Sequence, residues 1–423
     1  MIAFFVVFVI LLVIGVPISI SIGASAVVGC LWLDYPLMVI GQKMVSGIDS
    51  FLLIAIPLFV LAGNLMNAGK ITERIFNFAK ELVGWVPGGL GHANVVASII
   101  FAGMSGSAAA DAGGLGTIEM EAMTTNGYDK EFSAGITVTS SVIGPIFPPS
   151  IPLIIYGSIA SVSVSQLFMG GVVPGLLMGL ALMILVFIMA LKRGYPRTSF
   201  HVLALIKQFF ASILSIITPL IILSGFTLGW FTPTEASSIA VGYALVIAVV
   251  VYRNMDWKSF KKCLLDSALT SANTLFIIGS STLFSYVLIR EGISTQIAQF
   301  ILEISSNPHV CLLVINVLLL ILGMFMEPGA ILTLMLPVLI PIAQGLSLDM
   351  VHFGLVIVLN LMIGQVTPPF GVCLFIVADV AKLELNKLYR SMLPFLIPLV
   401  IVLFLITYVP EIVTWLPYSL ITK

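Results

Sequence analysis

Apolar runs of about 20 residues, the length an α-helix needs to cross a bilayer core, recur from one end of this chain to the other. Short polar intervals separate them. The pattern predicts helices over 2–33, 51–69, 168–191, 209–229, 236–252, 270–289 and 393–414. Four more apolar segments, 92–125, 132–163, 309–344 and 350–380, carry Gly or Pro clusters in their middle and read as interrupted helices. A transmembrane barrel would instead alternate apolar and polar positions over roughly 10-residue segments. The longest polar interval, 192–207, is only a loop, so no soluble domain is expected.

Two interrupted segments read alike. Ile136 to Ser150 is ITVTSSVIGPIFPPS and Val356 to Phe370 is VIVLNLMIGQVTPPF. At one constant offset Gly144 falls on Gly364, Pro148 on Pro368, Pro149 on Pro369, Asp129 on Asp349 and Pro174 on Pro394. Gly103-Met104 falls on Gly323-Met324, and Ile71–Leu82 resembles Ile293–Ile304 at a slightly shifted offset. The shared order and spacing indicate an internal duplication. Proline removes a backbone N–H and clashes with the preceding turn, so each Pro-Pro pair breaks its helix at membrane depth. Matched helix breaks in two halves of a membrane protein point to a transporter's ion and cargo site.

Composition agrees. Of 423 residues, 60% are hydrophobic and 9% charged, against about 25% charged in average chains; mean hydropathy is +1.18. A net charge of −1 gives no bulk attraction to nucleic acid, and no nucleic-acid partner is expected. Cys30, Cys263, Cys311 and Cys373 are scattered in or beside apolar segments without a CxxC pair and read as small buried hydrophobes. The start, MIAFFVVFVILLVIG, lacks a basic leader and reads as a retained helix.

Charge also sets orientation. Lys192, Arg193, Arg197 and Lys207 crowd one loop; Arg253, Lys258, Lys261 and Lys262 crowd another. By the positive-inside rule both are cytoplasmic. Counting forward places Lys382, Lys387 and Arg390 inside and the uncharged loop 161–169, their counterpart, outside. The halves are therefore inverted, a geometry suited to alternating access.

Segments 92–125 and 309–344 read as re-entrant hairpins. Their tips are Gly103 to Asp111, followed by Gly113-Gly114, and Gly323 to Gly329, broken by Pro328-Gly329. Broken helices expose carbonyls that suit a hard cation such as Na⁺, and N–H groups that suit an anion. The hydroxyls of Ser105, Ser107 and Thr367 could complete a Na⁺ shell. Ionisable residues in the apolar zone are costly, and so are functional candidates. Asp111 and Glu327 sit in the tips. Glu119 and Glu121 lie on the returning arm, Glu235 reads as a helix cap, and Asp379 reads as an interface residue. With no Lys or Arg in either tip or break, an acidic cargo would rest on helix N-termini, hydroxyls and Thr139, Ser140 or Asn360. No GxxxxGK[ST] phosphate loop suggests ATP drive, and no HExxH motif suggests an intramembrane enzyme.

The stretches GMSGSAAADAGGLGTIEMEAM (103–123), SSVIGPIFPPSIPLIIYG (140–157), FTPTEAS (231–237) and GQVTPPFG (364–371) resemble the large membrane subunit of tripartite ATP-independent periplasmic (TRAP) transporters. The resemblance covers nearly the whole chain. It implies an all-α polytopic fold of inverted repeats with two re-entrant hairpins and broken helices. An elevator-type transport domain would be braced by a scaffold. It implies Na⁺-driven uptake of an organic acid, such as a C4-dicarboxylate, a sialic acid or another sugar acid. Implied partners are a periplasmic solute-binding protein and a small four-helix membrane subunit, here expected as a separate chain. Implied location is the bacterial inner membrane. One Na⁺ would sit between Ser105 and Ser107 and the Gly144, Phe147, Pro149 break; a second would sit between Gly323 and Met326 and the Gly364, Thr367, Pro369 break.

The expected division is scaffold 1–69, first repeat 70–191, scaffold and cytoplasmic arm 192–289, and second repeat 290–423. Amphipathic arms near 70–85, 257–268 and 293–306 would brace the moving part or contact the small subunit. Competing readings are a stand-alone divalent-anion/sodium symporter and, with less support from the residues, an ion channel.

Overall fold

The structure is a computed structural model that describes residues 2–227, 229–304 and 307–420. Every regular element among the described residues is helical. Eight of the described helices are long and apolar enough to cross a bilayer, including Val164–Arg193, Trp257–Arg290 and Leu385–Tyr408.

Three of the elements that differ from the hydrophobic pattern bear on the packing. The run 2–33 is two helices, Ile2–Val13 and Ile18–Trp32, because Gly15 turns into the left-handed region (φ +88°) and Pro17 follows it. Residues Leu37–Ile48, given no element by the pattern, form a helix. Its glycine faces its neighbour: a Cβ on Gly47 would stand 2.2 Å from Thr282 Oγ1, and one on Gly279 3.0 Å from the Met44 carbonyl oxygen. Small residues let the two backbones close up. Thirdly, the expected arm 257–268 and helix 270–289 are one 34-residue helix, Trp257–Arg290. Asp256 starts it by accepting from the Ser259 N–H at 2.9 Å, and no Gly or Pro interrupts it before Gly279.

The interrupted segments fold as the Gly and Pro clusters dictate. The first hairpin enters through Gly89–Ser105, turns at Gly106 (φ +58°) and Ser107, and returns through a wide π turn at Asp111–Leu115 into Gly116–Thr125. The second enters through Pro308–Phe325, turns at Met326-Glu327 and returns through Pro328–Gly345. The broken helices are Lys130–Ser141 with Ile151–Ala160, and Met350–Gly364 with Val372–Ala381. Pro148-Pro149 and Pro368-Pro369 are both cis. Ser150 restarts the first broken helix: its hydroxyl donates to the Pro145 carbonyl and accepts from the Leu153 N–H.

The two repeats interlock. Helix Ile151–Ala160 packs on the returning arm of the second hairpin, while Val372–Ala381 packs on Lys130–Ser141 and on the π turn of the first. Outside this body, Ala55–Ala68 packs against Pro233–Val246 and Trp257–Arg290. The expected arm near 70–85 is the helix Ile71–Val83. It buries Ile75, Phe76 and Ala79 between the first hairpin and helix Val202–Thr227. Arg74 fastens it, donating to the Ala211 carbonyl at 3.2 Å and lying 3.9 Å above the Tyr252 ring. The arm near 293–306 forms the helix Ile293–Ile304; residues 305 and 306 lie outside the described residues.

Candidate functional site

Each hairpin tip meets the break of its own repeat. In the first repeat, a Cβ on Gly106 would stand 2.6 Å from the Pro149 carbonyl oxygen, and one on Gly144 would stand 3.7 Å from the Ser107 carbonyl. In the second, a Cβ on Gly364 would stand 2.7 Å from Gly323 Cα, and one on Gly323 3.0 Å from Gly364 Cα. Backbone meets backbone there, and Gly106 and Gly364 have no room for a side chain. The symmetry is incomplete. Gly103, the partner of Gly323 in sequence, faces Pro219 of helix Val202–Thr227 instead, where an added Cβ would stand 2.2 Å from the proline Cβ.

The remaining residues expected around the breaks take different places. The Ser105 hydroxyl is buried, 2% exposed, and has no hydrogen-bond partner. Ser107 accepts from the Ala110 N–H at 3.4 Å. The Phe147 ring packs beside Gly175. The Thr367 hydroxyl donates to the Ile363 carbonyl at 2.7 Å, and the Pro369 carbonyl accepts from the Tyr389 hydroxyl at 2.6 Å. Met326 packs against both clusters of buried apolar side chains. Hydroxyl and carbonyl oxygens are a donor set that suits a hard cation, and the orphaned Ser105 hydroxyl leaves the first tip short of one partner.

Between the tips lies a cavity of about 510 Å³, within the usual range for small-molecule sites. Ser105, Ser107 and Ala108 to Ala110 of the first tip line it, as do Glu327 and Gly329 of the second. Pro145 and Ile151 come from one break, Met362 and Gln365 from the other. The remaining wall is Val60, Gly63 and Asn64 of Ala55–Ala68 and Thr270, Asn273, Thr274 and Ile277 of Trp257–Arg290. None of these lining residues is Lys, Arg or His.

Asn64, Thr270, Asn273, Thr274 and Gln365 were absent from the sequence-derived site. A signal existed. Ser267, Thr270, Ser271, Asn273 and Thr274 make a polar stripe over two turns in the middle of Trp257–Arg290, and Ser267 accepts from Asn64 at 2.8 Å.

Asp111, Thr139, Ser140 and Asn360 are not in the lining. Asp111, Ser140 and Asn360 belong to buried braces between hairpin and broken helix. Asn94 donates to Glu119 Oε2 at 2.5 Å and to the Thr137 hydroxyl at 2.8 Å, and accepts from Ser140 at 2.7 Å. The Ser98 hydroxyl lies 3.4 Å from Asp111 Oδ1 and 3.2 Å from Ser140. Thr139 bonds back to the Gly135 and Ile136 carbonyls of its own helix. In the second repeat Asn360, aligned with Ser140, donates to Asn316. Glu235 is a cap, closing a capping box with Thr232. Asp129 and Asp349, aligned in sequence, each open a broken helix and each accept from a tyrosine hydroxyl, Tyr195 at 2.6 Å and Tyr418.

Paired hairpins, broken helices and a cavity at their meeting define a multi-pass membrane permease. The crystal structure of the YdaH transporter of Alcanivorax borkumensis, described as having an unusual topology, shares the fold. Its TM-score is 0.57 at 13% identity, over 90% of this chain and 89% of that one. Residues 5–412 match the family model of the tripartite ATP-independent periplasmic transporter, DctM component, and the chain belongs to that family. It is similar to the sialic acid TRAP transporter large permease protein SiaM of Vibrio cholerae serotype O1. Identity is 45% over 379 residues, covering 89% of this chain and 88% of the relative. It is also 45% identical to the sialic acid TRAP transporter permease protein SiaT of Haemophilus influenzae, covering 90% of this chain but 62% of that longer relative.

Proposed function

We propose that this chain carries an organic acid into the cell by Na⁺-coupled secondary transport, moving the hairpins and broken helices as one body past a scaffold. The supporting observation is the composition of the cavity wall: both tips and both breaks on one side, Ala55–Ala68 and Trp257–Arg290 on the other. A cavity at such a seam opens to alternate faces when one body slides, with no rearrangement inside either. Oxygen donors at the tip–break contacts favour a monovalent hard cation as co-substrate, and similar permeases are named for organic acids, among them sialic acid, C4-dicarboxylates and 2,3-diketo-L-gulonate.

Coupling has enough driving force. Each Na⁺ entering through 100 mV contributes about 2.3 kcal/mol before its concentration gradient, so two exceed the opposing charge of a monoanion. The partners in this reading are a small four-helix membrane subunit and a periplasmic solute-binding protein that delivers the cargo at the inner membrane.

The test is uptake by proteoliposomes holding the chain and the small subunit, given binding protein loaded from a panel of sialic, sugar and C4-dicarboxylic acids. An inward Na⁺ gradient drives accumulation of at least one acid. Accumulation of none, or equal accumulation without Na⁺, refutes the reading. Accumulation without the binding protein would favour the stand-alone symporter.

A further inference from the structure

The cavity holds one carboxylate of the protein's own. Glu327 is the turn residue of the second hairpin and stands in the lining, in a wall without Lys, Arg or His. It is in no ion pair among the described residues. Its carboxylate folds back over the first turn of helix Pro328–Gly345: a Cβ on Gly329 would stand 3.0 Å from Oε2 and 3.4 Å from Oε1. The N-terminal end of that 18-residue helix, which favours negative charge, is thus already met by a side chain and is not free for the cargo. The other polar lining groups are neutral hydroxyls and amides, among them Ser105, Ser107, Asn273, Thr274 and Gln365.

Resting on the transport reading above, we propose that Glu327 is a specificity-determining residue. It accepts hydrogen bonds from hydroxyl groups of a polyhydroxy monocarboxylic acid and repels any cargo that brings a second carboxylate to its end of the cavity. An ionised carboxylate is acceptor-only, so it pairs with O–H donors and opposes another acceptor of its own charge. Like charges facing each other without a cation between them are the repulsive element that discrimination requires. The neutral groups on the remaining walls hold the cargo's single carboxylate.

Gluconate and glucarate make the test clean. They share six carbons and four hydroxyls and differ only in whether the far end is a hydroxymethyl group or a carboxylate; threonate and tartrate are the four-carbon pair. Each acid is titrated against the purified chain in Na⁺, reading ligand-induced thermal stabilisation, for wild type and Glu327→Gln. The wild type favours the monocarboxylate of a pair by roughly tenfold or more in half-saturating concentration, and Glu327→Gln narrows the ratio below about threefold, chiefly by tightening the dicarboxylate. A wild type that binds both members equally, or prefers the dicarboxylate, overturns the proposal and leaves the transport reading standing. So does a Glu327→Gln ratio equal to that of the wild type. Stabilisation by neither pair overturns the proposal, and the uptake test above decides the transport reading separately.

Discussion

Asn360 donates to Asn316 Oδ1 at 2.9 Å, tying the second broken helix to the entering arm of its own hairpin. The aligned position of the first repeat, Ser140, donates to Asn94 Oδ1 at 2.7 Å. In both repeats an asparagine on the hairpin therefore holds the first half of the broken helix just before its break. Asn316 also donates to the Thr407 hydroxyl at 3.0 Å, extending the brace to helix Leu385–Tyr408. Removing either side chain leaves the other one bond short in a buried interior, at about 1–3 kcal/mol. Asn316→Leu and Asn360→Leu should each lower thermal stability by that order. The double variant should cost less than their sum, by up to about 1.7 kcal/mol, the top of the range for bonds between membrane helices. Strict additivity in the cycle would show that the two amides do not act on each other.

The close approach of Gly323 and Gly364 gives a second prediction. A methyl group on Gly364 would lie 2.7 Å from a backbone carbon, which cannot step aside as a flexible side chain can. Overpacking of this kind costs about 1–3 kcal/mol. Gly364→Ala should therefore separate the second tip from its break and strongly reduce uptake at unchanged expression. Gly242→Ala, with nothing within 4 Å of its added carbon, is the matched control and should leave uptake and melting temperature unchanged.

The orphaned hydroxyl of Ser105 gives a third. Where it serves as a cation ligand, Ser105→Ala should raise the Na⁺ concentration for half-maximal uptake several-fold, in keeping with about 1 kcal/mol per neutral ligand lost. Thr367→Val should raise it likewise, because that hydroxyl gives its proton to Ile363 and keeps its lone pairs open to a cation. The Na⁺ dependence of initial uptake rates measures both variants.

Acid should act on one helix cap before it reaches the interior. The hydroxyl and N–H of Ser259 hold the exposed Asp256 carboxyl below its usual range. A lowered folded-state pKa means that its contribution is present above the unfolded value, about pH 4, and is lost as pH falls through the lower folded value. Melting temperature should therefore drop as pH falls below about 4, and Asp256→Asn should flatten that part of the curve. A variant curve parallel to wild type would assign the acid sensitivity to other carboxylates.

Much of this organisation was legible in the chain. Both hairpins and both breaks announced themselves because Pro328 and the two Pro-Pro pairs remove helical hydrogen bonds, and Gly106 admits a left-handed turn, whatever surrounds them. Leu37–Ile48 was not legible, since Gly41, Lys43, Ser46 and Gly47 blur its apolar run and its glycines matter only against a partner helix. The single span Trp257–Arg290 was obscured in the same way by Lys258, Lys261 and Lys262 at its start. At the site, Glu327 and the two serines were visible as polar residues at a break. Asn273 and Thr274 showed only as part of a polar stripe, because their helix belongs to the other side of the cavity and only three-dimensional packing brings it there. Asp111, Thr139, Ser140 and Asn360 show the converse limit. Burial depth reads from sequence, but whether a buried polar group faces cargo or a neighbouring helix does not.

The sliding-body account turns on the seam between the interlocked repeats and the surrounding helices. The Ser158 hydroxyl, on helix Ile151–Ala160, lies 3.4 Å from that of Ser50, which precedes the Phe51–Ile54 turn on the other side of the seam. The four native cysteines are buried, so an oxidant acts on an introduced pair. The decisive measurement is uptake by the Ser50→Cys/Ser158→Cys transporter, oxidised to a disulfide and then reduced. The account predicts that uptake stops when the pair is closed and returns when it is opened; a fully cross-linked transporter that takes up cargo at the undiminished rate would contradict it.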